Sequence, residues 1–183
     1  MWNFKKELLK TSFEEDKIII ENVDYLVFKY GFSDGRDLDT CTQLLVPIQE
    51  AKLGYSQTGN NTSNIYSKWG GDNTGTGVES ILIDVKKLKQ DFPLEEFIEF
   101  SCGGNWFGQR GSGNVTMIVN AYNGGTMAVS NFEFLNTGGT LVRIFDFSVV
   151  NVVLNQPSPQ PLASETIGVF RYTISTGLLE KIG

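Results

Sequence analysis

A chain of 183 residues, 40% hydrophobic and 20% charged, has the size and balance of one globular domain with a sizeable core. Its net charge is −6 and its basic residues are scattered, the densest group being Lys86-Lys87-Leu88-Lys89, which argues against nucleic acid as a partner. It has no histidine, which excludes Ser-His-Asp and Cys-His catalysis and His-ligated zinc, and its two cysteines cannot close a structural zinc site.

The opening Met1-Trp2-Asn3-Phe4-Lys5-Lys6 has neither the apolar core nor the cleavage site of a signal peptide. The mature chain is expected to start near Met1. The expected location is a virion, if the chain is packaged in a phage particle, and otherwise the cytoplasm. Trp2–Lys10 puts Phe4, Leu8 and Leu9 on one side of a short helix. Trp2 and Phe4 read either as anchors of a docking arm (residues 1–20) or as residues packed on their own domain.

Beyond this segment, glycines punctuate short runs of aromatic and β-branched residues. The runs predict strands at Asp24–Phe32, Thr40–Ile48, Gly77–Val85, Phe97–Cys102, Asn114–Tyr122, Thr126–Leu135, Thr140–Leu154 and Thr166–Ile174. Period-two alternation is clearest where Val115, Met117, Val119 and Ala121 point one way and Thr116 and Asn120 the other. Val85, Leu88 and Phe92 share helical spacing, and Pro93 ends that short helix. Asn123-Gly124-Gly125 and Asn136-Thr137-Gly138-Gly139 read as hairpin turns of a β-meander. Asn155–Pro161 is proline-rich and reads as loop. Cys41 and Cys102 lie in different strand-like segments and are expected to be buried free thiols, with a disulfide as the alternative. No apolar run approaches a membrane span, so no membrane partner is expected. The sum is a single all-β domain, a two-sheet antiparallel β-sandwich with one or two short helices.

Two segments carry chemistry. Asp37 and Asp39 sit two apart, so extended backbone turns them the same way. Asp72, Asn73 and Glu79 lie in a glycine-rich loop. Calcium takes roughly 6–8 oxygen ligands, and two such loops at one sandwich end could supply them. The bland reading is that these residues make turn hydrogen bonds. The loop does not have EF-hand spacing.

The order of these features resembles the TerD-type family, calcium-binding β-sandwiches associated with tellurite resistance and stress. The matching segments are Asp37-Leu38-Asp39, Gly71-Asp72-Asn73, Glu79, Ile81-Leu82-Ile83-Asp84-Val85 and Phe107-Gly108-Gln109, and the resemblance spans roughly Asp24 to Val119. It implies a two-sheet sandwich with calcium held by acidic loops. The chain departs from the pattern at Thr74-Gly75-Thr76-Gly77-Val78, where the family's acidic run is shortened and has no carboxylate. The resemblance then implies at most one Ca2+. The Trp69–Gly75 stretch and Gly124-Gly125-Thr126-Met127 are also similar to modules of bacteriophage virion proteins.

Cys102–Gly113 is rich in glycine and carries Trp106, Phe107 and Arg110. It has no Gly-Lys-Ser/Thr and no βαβ context, so it is no phosphate loop. Trp106, Phe107 and Arg110 read as interface anchors, or else the segment is a hairpin whose aromatics are core. Glycoside hydrolysis would need two carboxyls across a cleft, and nothing in the sequence marks one. The expected function is a non-catalytic structural or binding protein, working with protein partners in a homo- or hetero-oligomeric assembly such as a phage capsid or tail. The alternative is a TerD-like calcium-binding stress protein, and the third reading is a carbohydrate-binding or carbohydrate-active domain.

Overall fold

The computed structural model describes residues 17–32, 37–54, 61–107, 111–146, 150–154 and 165–183. In chain order the strands are β1 (Lys17–Ile19), β2 (Tyr25–Phe32), β3 (Leu38–Val46), β4 (Leu53–Gly54), β5 (Ser67–Trp69), β6 (Gly77–Asp84), β7 (Phe97–Trp106) and β8 (Gly111–Asn123). They continue with β9 (Thr126–Ser130), β10 (Glu133–Thr137), β11 (Thr140–Asp146), β12 (Val150–Leu154), β13 (Glu165–Thr173) and β14 (Leu178–Lys181). One sheet runs β1-β14-β13-β7-β3-β4. The other runs β11-β8-β2-β6-β5, with β12 sharing one edge of β8 with β11. The two antiparallel sheets pack into the expected sandwich.

The core follows from alternation along central strands. Leu26, Phe28, Tyr30 and Phe32 of β2 point inward, as do Val115, Met117, Val119 and Ala121 of β8. Phe28 crosses the layer to meet Phe100 edge-on at 4.8 Å and Phe170 at 5.3 Å. Phe100 and Phe170 stack at 5.8 Å on neighbouring strands of the facing sheet. Such pairs add specific geometry to a large apolar burial.

Among the described residues there is one helix, α1 (Val85–Asp91). Asp84 caps it by accepting from the Lys87 backbone N–H at 2.8 Å, and Val85 and Leu88 are buried. The second expected helix, with Trp2 and Phe4, lies outside the described residues. No helix among the described residues is long and apolar enough to cross a membrane.

Several expected elements are revised. Thr126–Leu135 is not one strand: it turns at Asn131-Phe132, both with positive φ, and pairs on itself as β9 and β10. The Gly124-Gly125 and Gly138-Gly139 turns are not hairpin turns of a meander. They mark where this inserted hairpin leaves and rejoins the sheet, and β11 pairs back on β8. The two turns lie against each other, since a Cβ on Gly125 would sit 2.5 Å from the Gly139 nitrogen. The hairpin lies on the outer face of the sheet, where Phe134 is buried with Val27 and Leu82. Within the expected strand Thr140–Leu154, β11 and β12 both pair antiparallel along the same edge of β8, and residues 147–149 lie outside the described residues. Cys102–Trp106 is not loop but the end of β7. β7 and β8 belong to different sheets, so these two strands do not form a hairpin. Neither cysteine forms a disulfide among the described residues; Cys102 is buried, with its thiol pushed up to about 12 by burial, and Cys41 is half-buried rather than buried.

Candidate metal centre

β3 opens at one end of the sandwich. Leu38 and Thr40 are fully buried, and Leu38 belongs to the core. Strand alternation turns Asp39 the other way, together with Asp37 just before the strand. β7 runs antiparallel beside it, with Leu38 opposite Trp106 and Asp39 opposite Asn105. Directly opposed residues share a face, with Cβ atoms roughly 4.5–5.5 Å apart. Asn105 thus stands beside Asp39, and both are more than nine-tenths buried, at 7% and 5% exposure. The backbone also ties the two strands together here, because Phe107 N–H donates to the Asp37 carbonyl at 2.9 Å.

The third wall is the loop between β5 and β6. It brings Asp72 to the other two aspartates, with one carboxylate oxygen of each of Asp37, Asp39 and Asp72 within 4.8 Å of one another. Among the described residues, the buried Oδ1 atoms of Asp37, Asp72 and Asn105 have no hydrogen-bond partner. Buried polar oxygens are normally satisfied, so three at one sandwich end call for an explanation, which ordered water or an ion can supply. Burial pushes the Asp37 carboxyl up to about 6, helped by the charge of Asp72, and burial also raises Asp72. A divalent cation would reverse that penalty by supplying the missing opposite charge.

Asn73 and Glu79 do something different from the aspartates. Glu79 is fully buried and faces the core side of β6. Its Oε2 accepts from the Thr40 hydroxyl and from Trp69 Nε1 at 3.2 Å. Its Oε1 accepts from the Asn73 backbone N–H at 2.9 Å. Asn73 spends its own Oδ1 on the Gly75 N–H at 3.3 Å and its amide on the Val78 carbonyl at 3.4 Å. Glu79 is therefore an anchor that fixes the loop to the facing sheet, and Asn73 shapes the loop that carries Asp72. The carboxyl of Glu79 is pushed up to about 8, first by burial, with its three hydrogen bonds acting the other way.

Asp37, Asp39, Asp72 and Asn105 offer an all-oxygen donor set. Hard cations such as Ca2+, Mg2+ and Mn2+ suit such a set, and soft metals that prefer thiolate or imidazole do not. The residues therefore fit a calcium-class ion that takes its remaining ligands from carbonyls and water. Asn105 escapes sequence reading because its relevance comes from pairing across strands far apart in the chain.

The expected interface anchors separate. Trp106 is fully buried and meets Phe32 edge-on at 6.5 Å, so it is core and not a docking anchor. Phe107 is 47% exposed beside the acidic end. Arg110, Trp2 and Phe4 lie outside the described residues. Comparison with protein-family models, curated proteins and solved structures finds no match to the chain.

Proposed function

We propose that this chain is a non-catalytic binding domain that takes up one calcium-class cation between Asp37, Asp39, Asp72 and Asn105. The observation that carries the reading is the set of three buried Oδ1 atoms without a hydrogen-bond partner among the described residues. An ion there ties two strands of one sheet to a loop of the other, which stabilises one end of the sandwich. The TerD resemblance of the Asp37-Leu38-Asp39 and Gly71-Asp72-Asn73 segments supports the same role. A thermal melt in chelator and in excess Ca2+, Mg2+ or Zn2+ tests it. At about 100 times Kd, a ligand specific for the folded state adds about 2.7 kcal/mol, and for a chain of this size that raises Tm by roughly 5–10 °C. Calcium should give the largest rise. Equal melts in chelator and calcium would remove the proposal.

A second reading is that the domain works inside a larger assembly, such as a phage capsid or tail. It is favoured by β11, an edge strand with Leu141, Val142 and Ile144 exposed at 44%, 38% and 56%. Exposed apolar edge strands invite partners. The two readings are compatible, since a cation that pins loops suits a scaffold. Light scattering on the isolated chain, with a pull-down from particles, tests the second. A monodisperse monomer absent from any particle would end it.

A further inference from the structure

Asp72 is held from two sides, and only one of them is the Glu79 anchor. Immediately before it, Gly70 and Gly71 pass beneath the tip of the β9–β10 hairpin. A Cβ on Gly70 would lie 2.2 Å from the Phe132 carbonyl oxygen, so only glycine allows this approach. Gly71 has φ +112, and the Phe132 ring edge lies 3.4 Å from where its Cβ would be. The tip is itself held in an unusual shape. Asn131 and Phe132 have φ of 49 and 64, a pairing that normally ends in glycine. A bulky residue keeps that backbone only where its surroundings hold it.

The surroundings that do so are visible. The Ser80 hydroxyl donates to the Phe132 carbonyl at 3.0 Å and accepts from the Phe134 N–H at 2.9 Å. Lys29 Nζ meets Glu133 Oε2 at 2.5 Å, and Phe134 is buried against Val27 and Leu82. Ser80 follows Glu79 in β6, and alternation turns them to opposite faces. Glu79 fixes the chain just after Asp72 through Asn73, and Ser80 fixes the hairpin tip that covers the chain just before it.

We infer that Phe132 is a positioning residue for the cation centre, and that hairpin docking and cation uptake strengthen each other through Gly70, Gly71 and Asp72. The inference rests on the calcium reading above. Coupling of this kind is reciprocal: if the docked hairpin raises calcium affinity by some factor, calcium raises the docking equilibrium by the same factor.

The experiment uses the full chain. Calcium calorimetry is run on wild type, Phe132→Gly, Phe132→Tyr and Leu135→Ala. Glycine keeps the positive-φ turn and removes only the ring from Gly71. Phe132→Gly should weaken calcium binding about fivefold or more, with Phe132→Tyr restoring it and Leu135→Ala neutral. Amide exchange on wild type needs no variant: calcium should slow exchange at the Phe134 N–H by a similar factor. If wild type binds no calcium, the cation reading itself falls and takes this inference with it. If wild type binds, but Phe132→Gly binds equally well or exchange at Phe134 is unchanged, only the inference is overturned.

Discussion

Asp39 and Asn105 stand directly opposite each other on neighbouring strands β3 and β7, both buried. Asn105 Oδ1 has no hydrogen-bond partner among the described residues. An amide beside a buried carboxylate would ordinarily be turned to spend its donors and acceptor on the protein. An acceptor left over at this spot is what a cation site requires.

Asn105→Ala separates a ligand from a packing residue. Without calcium it removes no hydrogen bond to Oδ1, so the melt in chelator should stay within about 1 kcal/mol of wild type or rise. Calcium affinity should fall about tenfold, the size of one contact to a charged group. Calorimetry and melts on the same sample check both. A lower melt in chelator with unchanged affinity would make Asn105 merely structural.

Glu79 gives a pH signature. Its carboxyl is raised from 4.5 to about 8 in the folded state, chiefly by burial. Between those values the folded protein keeps a proton that the unfolded chain releases, so stability from this group is full below the lower value and is lost as pH rises through the higher one. Glu79→Gln cannot titrate. Relative to wild type it should gain stability from about pH 5 to about pH 8, by at most about 1.4 kcal/mol per pH unit. Urea unfolding in chelator across that range measures the difference. Parallel curves would show that Glu79 is ionised throughout.

Phe100 packs against both Phe28 and Phe170 in the core of the sandwich and is fully buried. Phe100→Ala should cost about 3–5 kcal/mol, read as a lower urea midpoint at constant m. A loss below about 1 kcal/mol would mean that the sheets close over the cavity.

β11 tests the assembly reading. Ile144 is 56% exposed, so Ile144→Lys should leave the melt within about 0.5 kcal/mol of wild type. Light scattering should show a smaller particle than wild type if this edge mediates association. An unchanged mass, with wild type oligomeric, would move the interface elsewhere.

Much of the fold was legible because alternation survives in the central strands. Val115, Met117, Val119 and Ala121 enter the core as their spacing implies. The Asn131-Phe132 turn was not legible, because it lacks the glycine that normally marks such a turn and its conformation is imposed by Ser80 and Gly70. The glycine pairs at 124–125 and 138–139 looked like hairpin turns because their chemistry is the same; what differs is the partner strand, which lies far away in sequence. At the acidic end, residue type pointed to Asp37, Asp39 and Asp72, which the structure brings together. Residue type could not reveal that Glu79 turns to Thr40 and Trp69 on the core side, or that Asn105 pairs with Asp39.

Calcium calorimetry on the wild-type chain, beside Asp72→Asn, addresses the cation site most directly. The account predicts one ion per chain for wild type, with affinity reduced about tenfold or more in Asp72→Asn. No heat of binding in wild type, or the same isotherm in both proteins, would contradict it.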